Sequence, residues 1–153
     1  MTKLYVAMGV YSEMCNQAAD HPAVEVCGLL GGLWKPYDRA AFGQQVVAIP
    51  NVAAQPEVTF LMESRAQIQA MTSFAKAGLD IIGIFHSHPQ GMDRPSETDI
   101  RECAYPDVVY LIVCPAMYAE WDADRPPTVF GMVATAWRIK NGEASAVTLV
   151  VSE

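Results

Sequence analysis

Apolar runs of strand length alternate along the chain with polar segments that carry glycine or proline. Runs of this kind bounded by turn residues predict β-strands. The predicted strands are LYVAM, VEVCGLLGGLW, QQVVAIPN, DIIGIF, DVVYLIVCP, TVFGMVATAWRIK and ASAVTLVV. A Gly-Gly turn is expected within the second of these, a loop over KPYDRAAFG after it, and an Asn141-Gly142 turn between the last two.

Helical spacing is clearest from Glu63 to Lys76, where apolar residues recur every three or four positions and Gly78 follows as a stop. A second helix is expected from Gly9 to about Ala19, ended by His21-Pro22, because the residue before a proline is disfavoured in a helix. A short third helix is expected over SETDIRECA. These elements predict an α/β (α+β) fold, a mixed β-sheet with flanking helices.

Composition narrows the class of protein. A chain of 153 residues suits one domain. The net charge of −7 and the lack of any Lys/Arg cluster argue against a nucleic-acid partner. No apolar run approaches the roughly 20 residues of a membrane span, and the N-terminus lacks the features of a signal peptide. We therefore expect a soluble, cytoplasmic protein without a membrane partner, whose four scattered cysteines are reduced. The oligomeric state is left open.

The segment HSHPQGMDRPSETD contains candidate metal ligands. His86 and His88 are two residues apart at a strand end, so their side chains lie on the same face. Asp99 follows after ten intervening residues, in the first turn of the short helix. Two imidazoles and a carboxylate suit Zn²⁺, and three protein ligands leave a fourth position for water.

Structural roles for these residues remain open at this point. A lone His-x-His at a strand end is commonly structural. Ser96 and Asp99 also match a capping box, in which Ser96 is the N-cap and Asp99 bonds back to its N–H. The position of all these residues beside a loop and a helix start favours function, since functional groups gather at such places.

The pattern H-S-H-P followed by S-x-x-D resembles the JAMM motif of the JAB/MPN-domain metalloproteases. PAVEVCGLLGG, which includes Glu25, is similar to the segment that carries this family's upstream glutamate, and the likeness continues through Asn51, FLME and YPDVVYLIV. The resemblance implies a compact prokaryotic member over residues 1–153, one domain with a cytidine-deaminase-like fold. From the residues alone, Glu25 would instead be a solvent-facing interruption of a strand.

The resemblance also implies a mechanism and a substrate class. His86, His88 and Asp99 would hold zinc, Glu25 would be the general acid/base for a zinc-activated water, and Ser96 would help stabilise the oxyanion. The substrate would be a ubiquitin-like or sulfur-carrier protein, cleaved after its C-terminal glycine at a peptide, isopeptide or amino-acid adduct bond. Hydrolysis of a carrier–cysteine adduct in cysteine synthesis is one specific role. The rival interpretations are a non-catalytic MPN scaffold and a hydrolase of small amides.

Overall fold

A computed structural model describes residues 2–153, and over that range the mixed sheet closes into a barrel. The strands are β1 (Lys3–Ala7), β2 (Cys27–Lys35), β3 (Ala40–Ile49), β4 (Asp80–Ser87), β5 (Val109–Pro115), β6 (Met132–Lys140) and β7 (Glu143–Ser152). The helices are α1 (Met8–Asp20), α2 (Ser64–Lys76) and α3 (Glu97–Arg101), with a 3₁₀ turn at Pro36–Asp38 and another at Ala116–Tyr118. The predicted mixed sheet with a few helices is confirmed. The cytidine-deaminase-like arrangement stays a prediction.

Around the barrel the strand order is β1-β3-β2-β4-β5-β6-β7, and β7 pairs with β1. The pairs β1–β3, β1–β7 and β4–β5 are parallel, and the others are antiparallel. β4 therefore lies between β2 and β5 and is buried along most of its length, as its continuous apolar sequence predicts. None of the helices in the described range has the length and apolar character needed to cross a bilayer.

The central strands divide their side chains between two buried clusters. Leu30, Phe85 and Leu111 pack in the cluster that includes α1. The second cluster includes Phe74 of α2. It also contains Leu29, Ile84 and Tyr110, each of which is the sequence neighbour of a residue in the first cluster. Because side chains alternate along a strand, His86 points to the same side as Ile84, the side covered by α2.

The expected Gly-Gly turn is wrong. Gly31 and Gly32 lie inside β2, at a shift in the register with β3. A Cβ on Gly32 would lie 2.0 Å from the carbonyl oxygen of Phe42, and a Cβ on Gly31 would lie 2.7 Å from the ring of Phe74. These glycines therefore permit close packing at a bulge. The chain reverses later, at Pro36–Arg39, where Arg39 has a left-handed conformation with φ 50°.

Apart from one loop, the other predicted boundaries agree with the structure to within a few residues. The expected loop over KPYDRAAFG is too long, because β3 already begins at Ala40. The Asn141-Gly142 turn is confirmed, with both residues at positive φ. β2 begins at Cys27, so Glu25 precedes the strand.

Candidate metal centre

The end of β4 brings the two candidate histidines to the barrel rim. His86 is the penultimate residue of β4, and it pairs with Cys27 of β2 and Ile112 of β5. The backbone N–H of His88 donates to the carbonyl of Val113, which continues the parallel ladder past the strand end. Both histidine side chains are buried. The sheet thus places both imidazoles on one side, as their spacing predicts.

Asp99 reaches the same point through the capping box of α3. Its backbone N–H donates to Ser96 Oγ at 3.0 Å, and the N–H of Ser96 donates to Asp99 Oδ2 at 2.9 Å. The same Oδ2 atom lies 3.1 Å from His86 Nε2 and 3.0 Å from His88 Nε2. The capping role and the ligand geometry are therefore compatible, because one carboxylate oxygen takes part in both.

The three candidate ligand atoms are close to one another. The two Nε2 atoms are 3.1 Å apart, so each pair among the three atoms is separated by 3.0–3.1 Å. Tetrahedral ligands about 2.0 Å from a zinc ion lie about 3.3 Å from each other. The observed separations are within about 0.3 Å of that value.

The hydrogen bonding of the histidines also fits a cation. His88 Nδ1 is 2.9 Å from the carbonyl oxygen of Met92, to which it must donate, so that a neutral His88 carries its lone pair on Nε2. Burial lowers the pKa of His86, which favours the neutral ring. Electron pairs from two imidazoles and a carboxylate that converge at this distance repel one another unless a proton or a metal ion lies between them. The residues present therefore fit a zinc ion.

The carboxylate is the charged member of the group. Burial on its own would raise the pKa of Asp99, but its polar interactions with His86 and His88 and the hydrogen bond from the Ser96 N–H hold that pKa well below its ordinary value. Asp99 is thus ionised over the whole working range of a protein and supplies a permanent negative charge. A dication at this point would be partly neutralised by that single ligand.

Glu25 lies near His88 and Asp99 and is buried, only 5% exposed. Its Oε1 atom has no hydrogen-bond partner among the described residues. Burial raises the pKa of Glu25 to about 7, while the nearby charge of His88 lowers it and that of Asp99 raises it further. The interpretation of Glu25 as a solvent-facing residue is therefore wrong. Its carboxyl group is buried, and the charges of His88 and Asp99 affect its pKa.

A cleft of about 600 Å³ opens beside His86 and Asp99. One side is the segment from Ala53 to Met62, hereafter the cleft wall, and the other is the segment from Glu102 to Tyr105. Ile84 and Tyr110 also line it. The ring of Phe60 in the cleft wall stacks on the imidazole of His86, with centroids 4.6 Å apart. The cleft is largely apolar and ends at the candidate ligands.

Three residues near the site, Met92, Asp93 and Asn51, could not be given a role from the sequence pattern alone. The carbonyl of Met92 orients His88, yet any residue could provide it. Asp93 is buried and accepts from the backbone N–H of Glu120, and its carbonyl accepts from the hydroxyl of Thr135, which keeps the loop in place. Asn51 was noticeable only as part of the family likeness.

His21 and Ser87 are not part of the candidate metal site. His21 is exposed, and its Nδ1 lies 3.0 Å from the carbonyl of Gln17. Ser87 is buried, and its hydroxyl accepts from the N–H of Val26, so its role is structural. All four cysteines are free thiols, as expected. Among them only Cys103 lines the cleft.

Comparison with known proteins agrees with the motif. The family of prokaryotic homologues of the JAB domain matches residues 8–125. A desampylase from Haloferax volcanii is 37% identical over 122 residues, which are 76% of this chain and 83% of the relative. A probable TtuB-protein conjugate cleaving protease from Thermus thermophilus is 30% identical over 109 residues, which are 71% of this chain and 68% of the relative.

Solved structures agree on the fold. The solution structure of a Desulfitobacterium hafniense protein superposes with a TM-score of 0.79 at 27% identity, over 98% of this chain and 93% of the other. A Salinibacter ruber protein superposes with a TM-score of 0.64 at 23% identity, over 97% and 92%.

Zinc content tests the ligand set. We expect the purified protein to bind about one zinc ion per chain and His88→Ala to bind almost none, because two remaining ligands hold zinc weakly. His21→Ala is the matched control and should keep the metal. Metal analysis after reconstitution and desalting measures this. A wild-type protein that takes up no zinc would contradict the assignment.

The pH dependence of stability tests the burial of Glu25. Since its folded-state pKa is raised from 4.5 to about 7, the protonated carboxyl favours the folded state. That contribution is complete below pH 4.5 and is lost as the pH rises through about 7. In metal-free protein, Glu25→Gln should therefore raise the melting temperature over wild type more at pH 8 than at pH 5. Glu57→Gln, at an exposed position, should show no such trend. A pH-independent difference for Glu25→Gln would contradict the burial.

Proposed function

We infer the function from the premise that this chain belongs to the family of prokaryotic JAB-domain homologues, compact members of the JAB/MPN proteins. We propose a zinc-dependent hydrolase that cleaves the bond after the C-terminal glycine of a ubiquitin-like or sulfur-carrier protein. The observation that carries the proposal is the close approach of three ligand atoms, two of whose residues line an apolar cleft, with the buried, unpartnered carboxyl oxygen of Glu25 near His88 and Asp99.

His86, His88 and Asp99 would hold the metal ion through Nε2, Nε2 and Oδ2. A zinc ion bound there would polarise a carbonyl group and lower the pKa of a bound water to about 7. The chain's contribution is to orient the ligands. The Met92 carbonyl holds the tautomer of His88, and the Ser96 N–H holds the carboxylate of Asp99.

Glu25 would act as the general base and then as the general acid. Burial raises the pKa of Glu25 in the metal-free chain, whereas a dication nearby would favour its ionised form, which is the form that accepts a proton from water. Its Oε1 atom is free of other hydrogen bonds, so the proton-accepting oxygen is available. The proton would pass from the attacking water to Glu25 and then to the departing amine.

Ser96 would donate a hydrogen bond to the oxyanion. Its Oγ accepts from the N–H of Asp99, and a hydroxyl that accepts can still donate its own hydrogen. The backbone N–H of Ser96 bonds to the carboxylate of Asp99, and this closeness to a candidate ligand supports a contact between the Ser96 hydroxyl and the substrate carbonyl.

The shape of the cleft supports an extended substrate. The cleft wall and the segment from Glu102 to Tyr105 flank an apolar channel that ends at His86 and Asp99. A flexible protein tail could lie along it, with main-chain hydrogen bonds providing affinity. The Thermus relative is named for cleaving a protein conjugate, which supports a substrate of the same class here.

Residues 1–153 would form one catalytic domain with a cytidine-deaminase-like arrangement, and it would work in the cytoplasm on a protein substrate. Hydrolysis of a carrier–cysteine adduct would be its role if the substrate is a sulfur carrier in cysteine synthesis. The alternative of a non-catalytic scaffold is disfavoured, because it would leave Glu25 buried without a partner for no benefit.

Carriers with different C-terminal attachments test the function. The panel is a ubiquitin-like or sulfur-carrier protein bearing a linear peptide extension, a lysine isopeptide or a cysteine adduct, each followed by mass spectrometry. We expect the zinc-loaded wild type to cleave at least one after the terminal glycine, and Glu25→Gln to be slower by about 10²–10⁴ with its zinc retained.

Two results of that panel would contradict the proposal. Equal cleavage by wild type and Glu25→Gln would remove Glu25 from the mechanism. Failure of a fully zinc-loaded wild type on every carrier would refute the substrate class and favour the scaffold or a small-amide hydrolase.

Ser96→Ala separates capping from catalysis. We expect turnover to fall by about 10²–10³, since one oxyanion donor is lost, while zinc content is kept. Loss of the cap alone would cost about 1 kcal/mol of stability. Glu63→Ala removes the N-cap of α2, whose carboxylate accepts from two backbone N–H groups, and serves as the cap-loss control. Full activity of Ser96→Ala would leave Ser96 with the capping role only.

A further inference from the structure

Asn51 follows β3 and uses the whole hydrogen-bonding capacity of its side-chain amide. Its Nδ2 donates to the carbonyl of Glu25 at 2.9 Å and to that of Thr59 at 3.0 Å. Its Oδ1 accepts from the N–H groups of Ala53 and Leu61, both at 3.0 Å. An amide has two donors and one oxygen with two lone pairs, so every position is filled and the amide cannot be flipped.

The backbone of Glu25 depends on the segment that begins at Asn51. Glu25 precedes β2, so no strand pairing holds its own N–H and C=O. Its N–H donates to the carbonyl of Pro56 at 2.7 Å, and its C=O accepts from Asn51. Both polar main-chain groups of the proposed general base are thus bonded to the cleft wall or to the residue that organises it.

The same amide also holds the cleft wall in shape. Through Ala53, Thr59 and Leu61, Asn51 contacts both ends of the wall, and the N–H of Val52 donates to the carbonyl of Leu61 to close its base. The side of the wall that faces the cleft carries Phe60, which stacks on His86. A single side chain therefore joins the surface that a substrate would contact to the residue that would move the proton.

We propose that Asn51 is a positioning residue, which sets the place of the Glu25 carboxyl group relative to the metal ligands and links that place to the cleft wall. This inference rests on the proposed function. The side chain of Asn51 makes no hydrogen bond to His86, His88 or Asp99, so we expect its effect to be on Glu25 and not on the metal. Displacement of a reacting group by about 1 Å can reduce a rate about 100-fold.

The isosteric change Asn51→Asp tests the donors of the side-chain amide separately from its acceptor. The aspartate keeps an acceptor for Ala53 and Leu61, but it loses both donors and sets an oxygen against the carbonyls of Glu25 and Thr59. We expect kcat to fall about 10- to 100-fold, with KM changed much less and with zinc affinity, measured by chelator competition, unchanged. Hydrogen exchange of the Glu25 amide should accelerate, while that of the His88 amide, bonded to Val113, should not.

Tyr11→Phe is the matched control for loss of a polar side chain from the interior. The Tyr11 hydroxyl donates to the carbonyl of Pro127 and accepts from the N–H of Ala134, in the cluster that contains α1. Its removal should lower the melting temperature and leave kcat, zinc affinity and exchange at Glu25 unchanged.

The results of these measurements distinguish failure of the Asn51 inference from failure of the proposed function. If Asn51→Asp keeps kcat within about twofold of a cleaving wild type, the inference fails while the proposed function stands. If kcat and zinc affinity fall in parallel, Asn51 is only structural and the inference also fails. If the zinc-loaded wild type cleaves no carrier, the proposed function fails. The exchange measurement then decides: acceleration confined to Glu25 and the cleft wall supports the link, and unchanged exchange overturns it.

Discussion

One oxygen atom, Oδ2 of Asp99, connects the local structure of this protein to its chemistry. It accepts the N–H of Ser96 and thereby closes the capping box of α3, and it lies 3.0–3.1 Å from both imidazole nitrogens. A helix of five residues is too short to be stable by propensity. The cap sets where the helix starts, and the start of the helix sets where the carboxylate points. Residues that hold the loop before it, such as Asp93, therefore act on the geometry of the site.

The centre combines groups that would destabilise the folded protein in the absence of a cation. Three electron-pair donors converge on one point, and a second carboxylic acid, Glu25, is buried near them with a raised pKa. Burial of an unpaired polar group is unfavourable, and in natural proteins such groups concentrate at functional sites. A metal ion relieves the repulsion among the donors and, through its charge, favours the ionised form of Glu25. Stability and function are thus coupled through the same atoms.

Much of the fold follows from sequence pattern, since local rules act strongly there. The continuous apolar run before His86 predicts a strand buried on both sides, and His-x-His predicts two side chains on one face. Glu25 cannot be found from such local rules, because Asn51 and Pro56, which lie 26 and 31 residues later, bond to its backbone and hold it in a buried position. The expected turn at Gly31-Gly32 is wrong for a similar reason. Glycine is typical of turns, yet here it is required by the ring of Phe74, 43 residues after Gly31, and by the backbone of Phe42 on the neighbouring strand.

The site is therefore assembled from two parts that differ in how they are held. His86 and His88 belong to a strand and its extension, which are fixed by pairing on both sides, and Asp99 is fixed by the capping box. Glu25 is held only by side-chain and loop contacts, among them those with Asn51, Pro56 and, through Val26, Ser87. Changes in the cleft wall that alter which substrate tail fits would also displace the proposed base, whereas the metal ligands keep their own strand and capping contacts. The cleft wall would thus link substrate choice to proton transfer, and its contact with the metal ligands is the stack of Phe60 on His86.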